Sequence, residues 1–149
     1  MSDFTYIAID PGKNGAVAVS RGGCLLTVDK TPGTLNDMRE LLQLKISDTV
    51  RVVIEKVASM PGNGSVSMFS FGQNFGQWQG IIAALQLPCI EVPPKQWQKL
   101  IGALPKDKKE RKNKILDYTQ KRTGAAIRLY AADAVAMALV APQLWEGEK

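Results

Sequence analysis

Three acidic residues lie in apolar sequence, where they could together hold divalent metal. Asp10 ends the run FTYIAID, Glu55 lies in the run VVIEKV, and Asp133 is the only charged residue between Leu129 and Ala141. An ionised carboxylate in apolar surroundings is costly unless a cation meets it. The three acids become tolerable together if they converge on metal, and a set of oxygen ligands suits Mg²⁺ or Mn²⁺ rather than Zn²⁺.

The amino-acid composition excludes other kinds of chemistry. The 149 residues include no histidine, which removes Ser–His and Cys–His catalysis and every histidine metal site. A net charge of +5 and an isoelectric point near 9.3 favour a polyanionic partner. Two separate cysteines and an N-terminus unlike a signal peptide predict a cytoplasmic location, and the apolar stretches are too short to predict a membrane span.

The hydrophobic pattern predicts alternating strands and helices. Runs rich in β-forming residues at 4–10, 15–20 and 23–29, joined by the turns PGKN and RGG, predict three antiparallel strands. A helix with Thr34 as its N-cap follows, then a strand in TVRVVIEKV and a helix in MFSFGQNFGQWQGIIAALQ. A short fifth strand in PCIEVPP precedes three closing helices in KQWQKLIGA, KDKKERKNKILDYTQKR and YAADAVAMALVA.

This order of elements predicts an α/β fold with a mixed five-stranded sheet, three antiparallel strands and then two parallel ones, flanked by α-helices. We expect a single domain over residues 1–149, with a frayed tail from about 143 to 149. In such a sheet the first strand can lie beside the fourth, which would set Asp10 and Glu55 side by side at one end. Asp133 would lie in about the first turn of the last helix.

Three segments carry a resemblance to a known family. IAIDPGKNGAVAV, VVIEKV and YAADAVAMALVA, in this order and spacing, resemble the RuvC family of Holliday junction resolvases, which have the RNase H-like fold. The segment SMFSFGQNFGQWQGIIAALQLPCIEVPPKQWQKLIG resembles phage and bacterial members in particular. The resemblance implies a homodimeric, metal-dependent endonuclease that resolves four-way DNA junctions by paired nicks, in the cytoplasm of a bacterial or phage-infected cell.

The resemblance also assigns roles to the three acids. It places the family's catalytic and metal-binding carboxylates on Asp10, Glu55 and Asp133. Two Mg²⁺ ions about 3.5 to 4 Å apart, for which Mn²⁺ would substitute, would activate a water and stabilise the leaving 3′-oxygen. Asp10 would bridge both ions, with Glu55 and Asp133 on either side.

One position departs from the family pattern. Where the family has a further acid or a histidine, three residues before the last aspartate, this chain has Tyr130. A phenol is a poor ligand for a hard cation at neutral pH. The second metal position is therefore weak, held by another group or lost. Another alternative is that an acid at Ala131 or Ala132 has been removed, and the sequence leaves these alternatives open.

Basic and aromatic residues supply candidate DNA contacts. The segment PKDKKERKNK, 105–114, has six Lys or Arg residues against two acids, and Lys108 matches the family's lysine near the scissile phosphate. A solvated charged face is the alternative for this run. Aromatic stacking on bases in an opened junction is possible after the loop PGNGS, although such residues are more often core, and Ala58 replaces the family's usual aromatic. The DNA-binding candidates are Lys95, Lys99, Lys106, Lys109, Arg111, Lys112, Phe69 and Phe71.

Small residues recur every four positions along one predicted helix. Gly72, Gly76, Gly80 and Ala84 form a ridge nearly free of side chains, and each glycine costs a helix about 1 kcal/mol relative to alanine. Such a ridge predicts close approach of another backbone. That backbone belongs either to the chain's own sheet or to a second copy across a two-fold axis, which suits a four-way junction with two symmetric strands to cut.

Two other functions remain open on the sequence. A module that binds branched DNA without cutting it would use the same fold, and the departure at Tyr130 keeps this alternative alive. A phosphotransferase is the other alternative, because IAIDPGKNGAVAV also resembles the first phosphate loop of actin-like and sugar-kinase ATPases. Those proteins need a second, similar lobe, for which 149 residues are too few.

Overall fold

A five-stranded mixed sheet forms the centre of the molecule, with strands in the order β3-β2-β1-β4-β5. The computed structural model describes residues 3–56, 62 and 64–148. The elements are β1 Thr5–Asp10, β2 Ala16–Arg21, β3 Cys24–Lys30, α1 Leu35–Lys45, β4 Val50–Glu55, α2 Ser65–Ala84, β5 Cys89–Val92, α3 Pro94–Ile101, α4 Lys108–Thr123, a 3₁₀ turn Leu129–Ala131 and α5 Ala132–Glu146.

The strand pairing confirms the predicted α/β fold. β1 runs antiparallel to β2 and parallel to β4, β2 runs antiparallel to β3, and β4 runs parallel to β5. Ile9 pairs with Ile54, so the residues that follow them, Asp10 and Glu55, end neighbouring central strands at the same edge of the sheet. β1 and β4 are apolar on both faces because helices cover both sides of the sheet.

Two apolar clusters, one on each face, hold the sheet in place. On one face, α1 and α2 pack through Met38, Leu42, Trp78 and Ile82. On the other face, α5 is buried along almost its whole length, with α3 and α4 packed beside it. Its alanines let its backbone lie close to β1 and β2, and the Ser20 hydroxyl donates a hydrogen bond to a carbonyl of α5 at 2.7 Å. This packing fixes the start of α5, and therefore Asp133, against the sheet.

The helix boundaries confirm one prediction and correct another. The Thr34 side chain accepts a hydrogen bond from the Asp37 backbone N–H, as expected of an N-cap. The predicted fraying from about 143 is wrong up to Glu146, because α5 continues to that residue. Leu144 is only 2% exposed, and the Arg51 guanidinium lies 4.8 Å from the centre of the Trp145 ring. Apolar packing and this cation–π contact hold the last turn in place.

Even α5, the helix with the most apolar surroundings, is only 15 residues long. Within residues 3–56, 62 and 64–148, no helix combines the length and apolar character needed to cross a membrane.

Candidate active site

The three predicted acids meet in one cleft of about 720 Å³ at the carboxyl ends of β1 and β4. Asp10 and Glu55 come from the strands, and Asp133 comes from the first turn of α5. The remaining wall is formed by the turn between β1 and β2, by the start of α2 and by α4. The cleft therefore brings together residues that are 45 to 123 positions apart in the chain, on elements that the two apolar clusters hold in place.

Each of these carboxylates is destabilised as an anion. Burial raises the pKa of Asp10 well above its usual range, and the negative charges of Glu55 and Asp133 raise it further. Burial raises the pKa of Glu55 to about 7, with a smaller contribution from Asp133. Burial also raises the pKa of Asp133. The site therefore concentrates negative charge that water does not adequately solvate.

A divalent cation fits the chemistry of this site. Three carboxylates supply hard oxygen donors of the kind that Mg²⁺ and Mn²⁺ prefer, and a cation among them would favour their ionised forms. The side chains do not form a complete coordination site, because within the described residues no three acidic or cysteine side chains are positioned to hold a single ion. The donor set thus matches a divalent ion, whereas a complete ligand geometry is not preformed.

A buried tryptophan holds one of the acids. The Trp97 indole N–H donates a 2.7 Å hydrogen bond to Oε2 of Glu55, which lowers the pKa of Glu55 against the effect of burial. Trp97 is not among the residues that the sequence predicts for the site. The available signal was its place just after β5, whose Val92 pairs with Glu55, since a helix that starts there begins near that acid.

The turn after β1 is built so that its backbone can approach the site. Gly12 has φ +120°, and a Cβ there would lie 2.9 Å from the Phe71 ring. A Cβ at Gly15 would lie 1.9 Å from the backbone oxygen of Asp10. The Gly12 N–H donates a 2.7 Å hydrogen bond to Oδ1 of Asn74 on α2. The glycines of PGKNG therefore let the turn pack tightly between Asp10 and α2.

Two solved structures share this architecture over nearly their whole length. Thermus thermophilus RuvC in complex with Holliday junction substrate matches with a TM-score of 0.67, at 18% identity over 94% of this chain and 96% of that chain. A second Thermus thermophilus RuvC structure matches with a TM-score of 0.62, at 20% identity over 97% of each chain. The fold is RuvC-like. No family model and no curated protein matches the sequence.

On this RuvC-like fold, the basic helix α4 faces the acids with one side. Lys108 and Lys112, one helical turn apart, line the cleft. The positive charge of Lys112 lowers the pKa of all three acids, and that of Arg111 lowers the pKa of Asp133. Lys106 and Lys109 are exposed outside the cleft lining. The predicted basic segment therefore divides into a cleft-facing pair and an outer group.

The other DNA-binding candidates differ in whether they line the cleft. Lys95 and Lys99 are exposed on α3 and do not line it. Phe71 is half-buried and forms part of the wall, where its ring contacts Gly12. Phe69 is 74% exposed and lies outside the lining. Ala58, at the position of the expected aromatic, falls outside the described residues.

Tyr130 does not supply a ligand to the cleft. It lies in the 3₁₀ turn before α5, packs against the apolar cluster of that face and is not among the cleft-lining residues. The Lys30 ammonium lies 5.7 Å from the centre of its ring. Ala131 and Ala132 are buried in the same cluster, so an acid at either position would meet apolar side chains. Among the described residues, the cleft thus has three acids rather than four.

The small-residue ridge of α2 faces outward in this RuvC-like fold. Among the described residues, no atom outside the helix's own backbone lies within 4 Å of the position that a Cβ at Gly72, Gly76 or Gly80 would take, which contradicts packing on the chain's own sheet as the reason for these glycines. A groove of about 430 Å³ runs along the ridge. Its lining residues are Leu35, Arg39, Gly76, Gln77, Gly80, Ile81, Ala84 and Leu85.

Proposed function

We propose that this protein is a structure-selective, metal-dependent DNA endonuclease that resolves four-way junctions by paired nicks. The convergence of Asp10, Glu55 and Asp133 in one cleft, faced by two lysines of α4, is the observation that carries the proposal. The RuvC-like fold supports it, since one of the matching structures is a RuvC with Holliday junction substrate. The basic net charge of +5 suits a polyanionic substrate.

The three carboxylates would hold Mg²⁺, for which Mn²⁺ would substitute. When bound, the metal would supply activation of a water and stabilisation of the leaving 3′-oxygen. Lys108 and Lys112 would bind the scissile phosphate from the α4 side and offset the negative charge of the acids as DNA enters. Pro11, Gly12 and Phe71 would exclude water from one wall of the cleft.

DNA outside the cleft would follow the positive surface. Lys109 and Arg111 on α4, with Lys106 just before that helix, would extend this surface on one side, and Lys95 and Lys99 would extend it along α3. Contacts of this kind give affinity with a steep salt dependence and little sequence information. Base stacking would come from Phe71 in the cleft wall and from the exposed Phe69, since stacking on an aromatic ring contributes roughly 1 to 3 kcal/mol per base.

A second copy of the chain would dock on the ridge of α2. Gly72, Gly76 and Gly80 leave the helix backbone open there, and the groove along it is almost entirely apolar. Two copies related by a two-fold axis would present two clefts to the two symmetric strands of a junction. The homodimer is therefore part of the proposed function.

A module that binds branched DNA without cutting it is the second candidate function. The position of Tyr130 outside the cleft lining favours it, because the site then offers three acids where four would hold two ions more firmly. This module would bind junctions equally well with or without Mg²⁺ and would give no nicked product.

A cleavage assay separates the two candidates. A labelled immobile four-way junction and a matched linear duplex would each be incubated with Mg²⁺, Mn²⁺ or EDTA. We expect paired nicks in opposing strands of the junction alone, and only with metal. Glu55→Gln should abolish the nicks while keeping junction binding, whereas Glu40→Gln, at an exposed acid of α1, should cut normally. Tight binding without nicks under all three conditions would contradict the endonuclease and support the binding module.

A further inference from the structure

We infer that Trp97 is a positioning residue for Glu55: its indole N–H fixes the carboxylate in the orientation that the cleft requires. The inference rests on the proposed function, in which Glu55 is a metal ligand. It adds to that function a residue that touches neither metal nor DNA and acts through the acid that it holds.

The contact has the geometry of an orienting hydrogen bond. The distance from Nε1 of Trp97 to Oε2 of Glu55 is 2.7 Å, and the indole can only donate. Bonds from an N–H to a carboxylate are stronger than bonds between neutral groups. Trp97 is 0% exposed and packs within the apolar cluster beneath α5, so the donor cannot follow the carboxylate if the carboxylate turns away. The bond engages Oε2 and leaves Oε1 for another partner.

The elements around Trp97 account for its placement. Glu55 at the end of β4 is the register partner of Val92 at the end of β5. Pro93 and Pro94 then start α3 at once, with Pro94 in the first turn, where a proline has no N–H to lose. The helix carries Trp97 back over the strand ends, where its indole N–H reaches the acid at the end of β4.

Core filling alone does not explain this bond. The chain has a second tryptophan with the same burial, Trp78, which is 0% exposed in the cluster on the opposite face. Within the described part of the chain, the Trp78 indole N–H has no hydrogen-bond partner. A core tryptophan of this fold can therefore pack without a polar partner, and Trp78 provides a matched control for the same substitution.

The test compares Trp97→Phe with Trp78→Phe in metal binding and in cleavage. Groups that orient metal ligands typically contribute 10 to 100-fold in metal affinity. We expect Trp97→Phe to weaken Mn²⁺ binding about 10-fold, measured on the DNA-free protein by electron paramagnetic resonance, and to lower kcat on the junction with little change in KM. Trp78→Phe should change neither quantity.

A double-mutant cycle with Glu55→Gln shows whether Trp97 acts through Glu55. In the Glu55→Gln background, Trp97→Phe should cause no further loss of Mn²⁺ affinity, because the two effects share one contact. An equal loss in both backgrounds would overturn the inference, as would a Trp97→Phe protein that binds Mn²⁺ like wild type. Wild-type protein that neither binds Mn²⁺ nor cuts the junction would overturn the proposed function, and this inference with it.

A measurement on wild-type protein covers the case in which Trp97→Phe does not fold. The three tryptophans give three indole N–H resonances, which Trp78→Phe and Trp145→Phe would assign. Addition of Mg²⁺ should shift the Trp97 resonance and leave that of Trp78 in place, since only Trp97 is bonded to a proposed ligand. A Trp97 resonance that does not respond while Mg²⁺ supports cleavage would overturn the inference.

Discussion

At the scale of single residues, the acids of the cleft are costly to the fold when no metal is present. Their half-buried carboxylates repel one another, and among the described residues the cations of α4 and the Trp97 indole offset this. The same carboxylate charges that lower the free energy of unfolding without metal would bind a divalent ion. Stability and activity should therefore respond in opposite directions to removal of a single charge.

The raised pKa values predict how stability depends on pH. Glu55 has a pKa of about 7 in the folded protein against 4.5 as its ordinary value, so between these values the folded state binds more protons than the unfolded state. Stability in EDTA should therefore fall as pH rises from about 4.5 to 7. Glu55→Gln should flatten this fall and raise the melting temperature at pH 8 by several degrees, measured by circular dichroism.

Two comparisons make the pH result specific. Glu40→Gln, which removes an exposed acid of α1, should leave the slope unchanged. Excess Mg²⁺ should stabilise wild type at pH 8 far more than Glu55→Gln, since an ion that binds only the folded state adds to its stability. A slope that is identical in wild type and Glu55→Gln would contradict a raised pKa of Glu55 in the folded protein.

At the scale of elements, the basic segment at the start of helix α4 presents two groups of lysines. Lys108 and Lys112 line the cleft with the acids, whereas Lys109 and Lys106, which precedes the helix, are exposed outside the lining. Asp107 caps the helix by accepting a hydrogen bond from the Glu110 N–H, so the first cleft-facing lysine lies at the very start of the helix. The cap thus fixes where α4 begins, and with it the backbone position of Lys108.

Removal of a cleft-facing lysine should impair catalysis more than binding. We expect Lys108→Ala to lower kcat on the junction by about 100-fold, the typical loss for one group that stabilises charge in the transition state. The slope of the logarithm of the DNA-binding constant against the logarithm of salt concentration should change by no more than the contribution of about one phosphate contact. Lys121→Ala, at the other end of α4 and paired with Asp117, is the control and should cut normally. Single-turnover cleavage and filter binding over a salt series measure the two effects, and equal rates for both variants would contradict the assignment.

The sequence predicted the elements better than it predicted the contacts between them. Asp10 and Glu55 could be placed because strand periodicity and parallel pairing locate the ends of β1 and β4 from local sequence. The bond from Trp97 to Glu55 could not, because it depends on how α3 crosses the strand ends. The outward direction of the glycines was left open for the same reason, since spacing defines a helix face but not what that face meets.

At the scale of the whole molecule, one helix connects the cleft with the proposed dimer surface. Ser70, Phe71 and Asn74 of α2 contribute to the cleft wall or hold the turn after β1. Gly76 and Gly80, on the following turns of the same helix, lie on the open ridge. Because α2 is continuous from Ser65 to Ala84, docking of a second copy would set the orientation of both clefts.

A larger side chain on the ridge of α2 should prevent formation of the proposed dimer without destabilising the fold of a single chain. Gly80→Leu places its side chain in open space and replaces a poor helix former, so the free energy of unfolding of a single chain should rise by up to about 1 kcal/mol. The same side chain would block close approach of another helix. Sedimentation at micromolar concentration should give twice 16.2 kDa for wild type and 16.2 kDa for Gly80→Leu.

The control for the ridge is Asn113→Leu, an exposed helix position on α4 outside the groove, which should leave the dimer intact. Paired nicking should be lost with the dimer, leaving single nicks at best. A wild-type protein that is a monodisperse monomer under these conditions would contradict the homodimer.

The four-residue repeat of the ridge also bears on where the two nicks would fall. A slide of a glycine-held helix pair by one repeat of four residues corresponds to a shift of about 6 Å along the axis. Adjacent base pairs of a duplex are about 3.4 Å apart, so such a slip would move one cleft by nearly two nucleotides relative to the other. In the proposed dimer, the extra methyl group of Ala84 at the end of the ridge would break the equivalence and select one alignment. Ala84→Gly should therefore spread the cut positions in opposing strands, which mapping at single-nucleotide resolution reads directly.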